Sequence, residues 1–220
     1  MHTRLKICGV TQLDDALRLA EIGVELLGFN FYADSPRYID PLRAGSIISR
    51  LQGQSICVGI LVRPTLQQAR EIVRLTGVSM LQIYEPVDFQ DYHDLPVAVI
   101  DSHRWNASGR PPAPRPGARY LLLDRYHPQK PGGTGMPLQW HRIPRSFPRE
   151  TLVLAGGIHP GNIRRALEQV HPAIIDVASG AEVQPGQKDF RKVLQLQLAI
   201  TAFNLKQKQN TLSRQHRTSI

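Results

Sequence analysis

Three residues with chemical potential each close or interrupt a short apolar run. Leu5-Lys6-Ile7 leads into Cys8, Tyr120-Leu121-Leu122-Leu123 leads into Asp124, and Ile174-Ile175 leads into Asp176. A thiol needs only a modest lowering of its ordinary pKa, about 8.5, to act as a nucleophile or general base near neutrality. A carboxyl after three leucines is costly to bury unless it is solvated, bonded or functional, and held protonated it is a general acid. Each residue also has a plainer reading. A cysteine in an apolar strand is often a small buried hydrophobe, Asp124 can be a loop cap, and Asp176 is best read as a brace bonded to neighbouring groups. Cys57 opens its own apolar run and reads as packing.

Two glycine turns follow apolar runs. Gly156-Gly157 comes after Val153-Leu154, and Ser179-Gly180 comes after Asp176-Val177. Such turns present unpaired backbone N–H groups, which hold a phosphate without needing a lysine. Gly132-Gly133-Thr134-Gly135 reads as a flap closing over substrate, with Gly133 and Gly135 against the ligand. Arg37, after Ser35-Pro36, is either a surface arginine or a guanidinium gripping a carboxylate in bidentate fashion. The histidines show no HExxH or other ligand spacing, so no metal is assigned.

These residues need a scaffold that gathers them. Strands are expected at Leu5–Cys8, Val24–Phe29, Ile56–Leu61, Ser79–Ile83, Pro96–Ile100, Tyr120–Leu123, Thr151–Leu154 and Ile174–Val177. Between them, apolar residues at helical spacing predict helices at Leu13–Ile22 with Thr11 as cap, from Pro41 to Leu51, at Thr65–Leu75 closing near Gly77, and at Pro160–Val170. A weak helical segment is expected around Val87–Tyr92, and a last helix at Phe190–Phe203. The prolines of Gly109–Gly117 exclude an ordinary helix there, so the fifth crossover is expected to be degenerate. Eight strands with crossovers predict a parallel sheet covered by helices, closed as a barrel or left as an open doubly wound sheet. No GxGxxG follows the first strand, which disfavours a dinucleotide fold. In a barrel, strand C-termini share one face, so Cys8, Asp124 and both glycine turns would meet on one rim.

The 220 residues, 41% hydrophobic and 20% charged, fit one globular domain. No apolar run approaches the length of a membrane span, the first strand begins too early for a signal peptide, and two cysteines make no disulfide scaffold. The net charge is +9; Lys206, Lys208, Arg214 and Arg217 supply four of it. With 6% aromatic residues and no basic stripe, nucleic-acid binding is not favoured; the excess charge is either solubilising or steers an anionic substrate. Residues 1–204 are expected to form the barrel, and 205–220 a polar basic tail, frayed or disordered.

Longer stretches carry a resemblance. Leu5-Lys6-Ile7-Cys8-Gly9-Val10, Gly28-Phe29-Asn30-Phe31 with Ser35-Pro36-Arg37-Tyr38, Leu122-Leu123-Asp124, Leu154-Ala155-Gly156-Gly157-Ile158, and Asp176-Val177-Ala178-Ser179-Gly180-Ala181-Glu182 with Pro185-Gly186 and Lys188-Asp189 occur in order. The set resembles the phosphoribosylanthranilate isomerase family of tryptophan biosynthesis. The resemblance implies a single-domain (β/α)8 TIM barrel and an Amadori rearrangement of a phosphoribosyl aminoaldose to its 1-deoxyribulose phosphate. It implies Cys8 as general base and Asp124 as general acid. Arg37, Gly133, Gly135 and Asp176 would contact substrate, with phosphate at Gly156, Gly157, Ser179 and Gly180. It further implies no cofactor, a small phosphorylated aminosugar carrying an aromatic carboxylate as ligand, a monomer or homodimer, and a cytoplasmic setting.

Some positions depart from the family. Its Gln-Leu-His-Gly element reads Gln82-Ile83-Tyr84-Glu85 here, its Phe-Val-Asn element reads Leu61-Val62-Arg63, and the fifth strand lacks a lysine. A glutamate beside an anionic substrate is unfavourable unless turned away or paired. The departures leave open an isomerase of a related phosphorylated aminoaldose, or a non-catalytic phosphosugar-binding paralogue.

Overall fold

A computed structural model describes residues 2–106, 110–125 and 139–217. Eight parallel strands close into a barrel in chain order: β1 (Arg4–Cys8), β2 (Leu26–Asn30), β3 (Ile56–Val62), β4 (Met80–Tyr84), β5 (Ala98–Trp105), β6 (Tyr120–Arg125), β7 (Leu152–Leu154) and β8 (Ile174–Val177). β8 pairs back onto β1, with Lys6 opposite Asp176. The open-sheet alternative is therefore excluded. Inside, Leu26, Val58, Ile60, Ile100, Leu122, Val153 and Ile174 fill the barrel. A separate, larger apolar layer joins the outer strand faces to the helices. Each such aliphatic side chain, once buried, contributes roughly 1.5–3 kcal/mol.

Among the described residues, five α-helices cover the barrel: α1 (Leu13–Glu21), α2 (Pro41–Arg50), α3 (Leu66–Thr76), α4 (Ile163–Val170) and α5 (Phe190–Arg217). Their ends follow local chemistry. Asp40 caps α2 by accepting from the backbone N–H groups of Leu42 and Arg43, with Pro41 in the first turn. Thr65 and Gln68 form a reciprocal capping box on α3, and Gly77 ends it at φ +69°.

Several sequence expectations need correction. Thr11 does not cap α1; that helix starts after Gln12, and the Thr11 hydroxyl donates to the Gly186 carbonyl at 2.9 Å. No helix forms at 87–92. Among the described residues, the crossovers β4–β5 and β5–β6 contain no helix, and β6–β7 holds one 3-10 turn, Trp140–Arg142. The uncovered wall is sealed by a polar hub instead. Asp101, fully buried, accepts from Tyr92 Oη at 2.9 Å, from the Arg115 backbone N–H at 2.8 Å, and from the Arg115 guanidinium, with His103 Nε2 at 2.9 Å. Arg115 belongs to the proline-rich stretch, so one buried carboxylate holds that stretch where a helix would pack.

α5 also runs further than expected, to Arg217, so the stretch read as a frayed tail from Leu205 is helical over its described residues. Just before α5, β9 (Glu182–Gln184) and β10 (Gln187–Lys188) make a small antiparallel hairpin, which sequence reading did not foresee.

Candidate active site

At the C-terminal ends of the strands, a cavity of about 370 Å³ is lined by Cys8, Arg37, Asp124, Gly156, Gly157, Asp176 and Ser179, and also by Asn30, Gln82, Tyr84 and Arg104. The structure thus brings together the thiol, both carboxylates, the arginine and parts of both glycine turns. Gly133 and Gly135 lie outside the described residues. Gly180 does not line the cavity but packs behind it.

Cys8 ends β1, and Asp124 sits near the end of β6. In the closed order these strands are separated by β7 and β8, so the two groups stand on different sides of one mouth. Gly156 and Gly157 have φ of +85° and +68°, a left-handed geometry that favours glycine. A Cβ on Gly180 would overlap the Ile158 carbonyl oxygen, so the turn after β8 lies directly against the turn after β7. The two turns are thereby locked into one surface.

Beneath Cys8 is a buried ion pair. Lys6 Nζ donates to Asp176 Oδ1 at 2.9 Å. Burial alone would lower the Lys6 ammonium, but Asp176 and Cys8 beside it outweigh that and hold it above the usual lysine range. Gly28 leaves the space this requires, because a Cβ there would come within 3.1 Å of both Lys6 Nζ and the Cys8 Cα. Asp176 is therefore a brace, although the donor is a side chain and not the backbone.

The thiol itself departs from expectation. Burial pushes Cys8 above the usual thiol range, and Asp176 adds to this; Lys6, Lys188 and Arg37 pull it down without prevailing. These surroundings favour the neutral thiol over the thiolate. Cys57, buried and remote from the mouth, is pushed up to about 12 by burial, as a packing residue should be.

Arg37 is already engaged. Its Nε donates to both Glu182 oxygens at 3.0 Å, and its Nη2 donates to Oε2 at 2.7 Å. Glu182 also accepts from Lys188 Nζ at 2.7 Å, and Lys188 in turn donates to the Cys8 carbonyl oxygen at 2.7 Å. Burial would raise the Glu182 carboxyl, but Arg37 and Lys188 hold it below the usual carboxylate range. The stem of Arg37 crosses Gly9, at φ +75°, where a Cβ would collide with its Cδ. The β9–β10 hairpin thus orients Arg37 and the end of β1 together. Glu182, Lys188 and Lys6 escaped sequence reading as site residues. Their only signal was an ion-forming residue within an apolar or turn-flanked stretch.

Tyr84 and Glu85 occupy the altered fourth-strand element. Tyr84 is buried in the mouth, and its hydroxyl accepts from Gln82 Nε2 at 3.2 Å. Burial, together with the facing groups of Asp124, Asp176 and Cys8, pushes the phenol well above the usual tyrosine range, so it stays a neutral donor. Gln82 lines the cavity, and its Oε1 is buried with no hydrogen-bond partner among the described residues. Glu85 is turned outward and paired with Arg104 at 3.2 Å, which relieves the repulsion expected of it.

The family model for N-(5'phosphoribosyl)anthranilate (PRA) isomerase matches residues 5–197. The N-(5'-phosphoribosyl)anthranilate isomerase of Nitrosomonas europaea is 39% identical over 199 residues, covering 88% of this chain and 92% of the relative. That of Nitrosospira multiformis is 37% identical over 196 residues, covering 88% and 94%. Among solved structures, phosphoribosyl anthranilate isomerase from Thermotoga maritima superposes with a TM-score of 0.75 at 28% identity, covering 91% of this chain and 99% of that one. Another, holding reduced 1-(o-carboxyphenylamino)-1-deoxyribulose 5-phosphate, superposes with a TM-score of 0.72 at 27% identity, covering 91% and 99%.

Proposed function

Since the chain belongs to the N-(5'-phosphoribosyl)anthranilate isomerase family, we propose how its own residues perform that isomerisation, with Cys8 as general base and Asp124 as general acid. The enzyme is an aldose–ketose isomerase of tryptophan biosynthesis, converting N-(5'-phosphoribosyl)anthranilate to 1-(2-carboxyphenylamino)-1-deoxyribulose 5-phosphate. The observation that carries the residue assignment is the placement of the thiol and the carboxyl on separate walls of one cavity floored by glycine turns.

The phosphate binds at Gly156, Gly157 and Ser179, which line the cavity, while Gly180 behind them packs the two turns together. Asp124 gives its proton to the ribose ring oxygen as the C1–O bond breaks, and the nitrogen lone pair closes a C1=N iminium. The iminium withdraws electrons from C2 and acidifies its hydrogen. Cys8, as thiolate, takes that proton, and the C2–H electron pair becomes the C1=C2 bond of an enolamine. Loss of the C2 hydroxyl proton and protonation at C1 give the ketone. Atoms and electrons balance within one molecule. Tyr84 and Gln82 Oε1 hold the sugar hydroxyls between acid and base, Asp176 keeps Lys6 under the thiol, and the edge of Arg37 left over from Glu182 faces the aromatic carboxylate.

The two free thiols support a reducing, cytosolic setting, and no described helix is long and apolar enough to cross a membrane. The test is a fluorescence assay of anthranilate-substrate turnover. Cys8→Ala and Asp124→Asn should each lower kcat at least about 100-fold while binding of the reduced product analogue remains measurable. Wild-type protein that binds the analogue without turning over substrate would favour the non-catalytic paralogue.

A further inference from the structure

The ligand carries two anionic ends, and the glycine turns at β7 and β8 account for one. In the barrel order, the wall opposite those turns is β3–β4, continued by β5. Among the described residues, two arginines line the cavity: Arg37 and Arg104. Arg37 has given its Nε and Nη2 to buried Glu182. Arg104 is differently placed. Its ladder partner on β6 is Asp124, so in this parallel pair both side chains leave the same face of the sheet, toward the barrel interior. Two residues earlier on the same face, Ser102 pairs with Tyr84. The Arg104 guanidinium accordingly lies over the Tyr84 ring, 5.4 Å from its centre. Its ion-pair partner among the described residues, Glu85, is 59% exposed and reached by Nη1 alone at 3.2 Å. An exposed pair of this kind is worth little and exchanges readily.

We propose that Arg104 is the second carboxylate-binding residue of this enzyme, exchanging Glu85 for the carboxylate on the aromatic ring of the substrate. Tyr84 is the surface on which the guanidinium is oriented, and the arrangement rests on the isomerase reading given above. The position is made by β5, which runs to Trp105 and carries Arg104 up to the mouth beside Asp124, the general acid of the scheme above. Arg104 thus selects substrates with an acidic aromatic amine over neutral ones. It acts in binding, since a carboxylate remote from C1 and C2 keeps its charge throughout the reaction.

Steady-state kinetics on N-(5'-phosphoribosyl)anthranilate and on its carboxyl-free aniline counterpart test this. For Arg104→Gln, KM for the carboxylated substrate should rise about 10- to 100-fold with kcat changing far less, the size of a lost charged hydrogen bond. The loss should be confined to the carboxylated substrate, and Arg104→Lys should recover part of it. Unaltered KM in Arg104→Gln, or equal losses on both substrates, would overturn the assignment while leaving the isomerase reading intact. A wild-type enzyme inactive on the carboxylated substrate would overturn both.

Discussion

Lys6 and Asp176 are 170 residues apart in sequence, yet they are ladder partners on β1 and β8 and share a buried hydrogen bond of 2.9 Å directly under Cys8. Lys6 is the leading cation acting to lower the thiol. Lys6→Met should therefore do two things. It leaves Asp176 as an unpaired buried charge, costing about 3–5 kcal/mol in urea unfolding, most of which Asp176→Leu in the same chain should restore. It also shifts the ascending limb of kcat/KM, set by ionisation of Cys8, to higher pH; a limb that stays put would disconnect Lys6 from the base.

The pH profile of the wild type follows from the protonated thiol. Because burial holds Cys8 above the usual thiol range, the thiolate fraction grows with pH through neutrality. kcat/KM, which reports free enzyme, should rise about tenfold per pH unit over the range where the thiol is still mostly protonated and Asp124 still holds its proton. Residual activity of Cys8→Ala that keeps the wild-type rise with pH would contradict the assignment of Cys8 as base.

Glu85 sits at φ +48°, a left-handed conformation that an L side chain adopts at a cost. Glu85→Gly should stabilise the fold by about 1 kcal/mol, read as a higher denaturant midpoint. It also removes a competitor for Arg104, so KM for the anionic substrate should fall. A destabilised variant would mean that the Arg104 contact outweighs the backbone strain.

Asp101 governs acid stability. Burial would raise its carboxyl, but His103, Arg115 and Tyr92 hold it below the usual carboxylate range. Its folded pKa is thus below its unfolded value of about 4, so its contribution is fully present above that value and is lost as pH falls through the folded pKa. Asp101→Ala should cost about 3–5 kcal/mol at neutral pH and make stability less dependent on pH below 4. Equal acid sensitivity in variant and wild type would assign the effect elsewhere.

Gly180→Ala tests the joined turns. The added Cβ meets the Ile158 carbonyl, and backbone must move. Binding of inorganic phosphate, measured by calorimetry, should weaken about tenfold or more, whereas Arg104→Gln should leave it unaltered. Intact phosphate affinity in Gly180→Ala would separate the turns from the anion.

Much of the scaffold is legible in local sequence. Pro41 opening α2 and Gly77 closing α3 are read from local preference, and the structure agrees; the capping box at Thr65 and Gln68 and the Asp40 cap are equally local but went unread. Cys8, Asp124 and the glycine turns were found because a strand end is visible as the end of an apolar run, and barrel closure puts all such ends on one face. The end of β5 was not visible, because Asp101-Ser102-His103-Arg104 is polar. It continues as strand since its outward residues, Asp101 and His103, satisfy one another and Arg115.

The sequence by itself determined the number of barrel strands, the glycine turns, and the reactive residues at the ends of β1 and β6, since periodicity and backbone preference act over short distances. Tertiary structure alone decided which charges meet. Arg37 is committed to Glu182 across 145 residues, Lys6 lies under the thiol, and Arg104 stands beside Asp124. Those pairings depend on strand register and on closure of β8 against β1, and a buried charge finds its partner only once the barrel has shut out water.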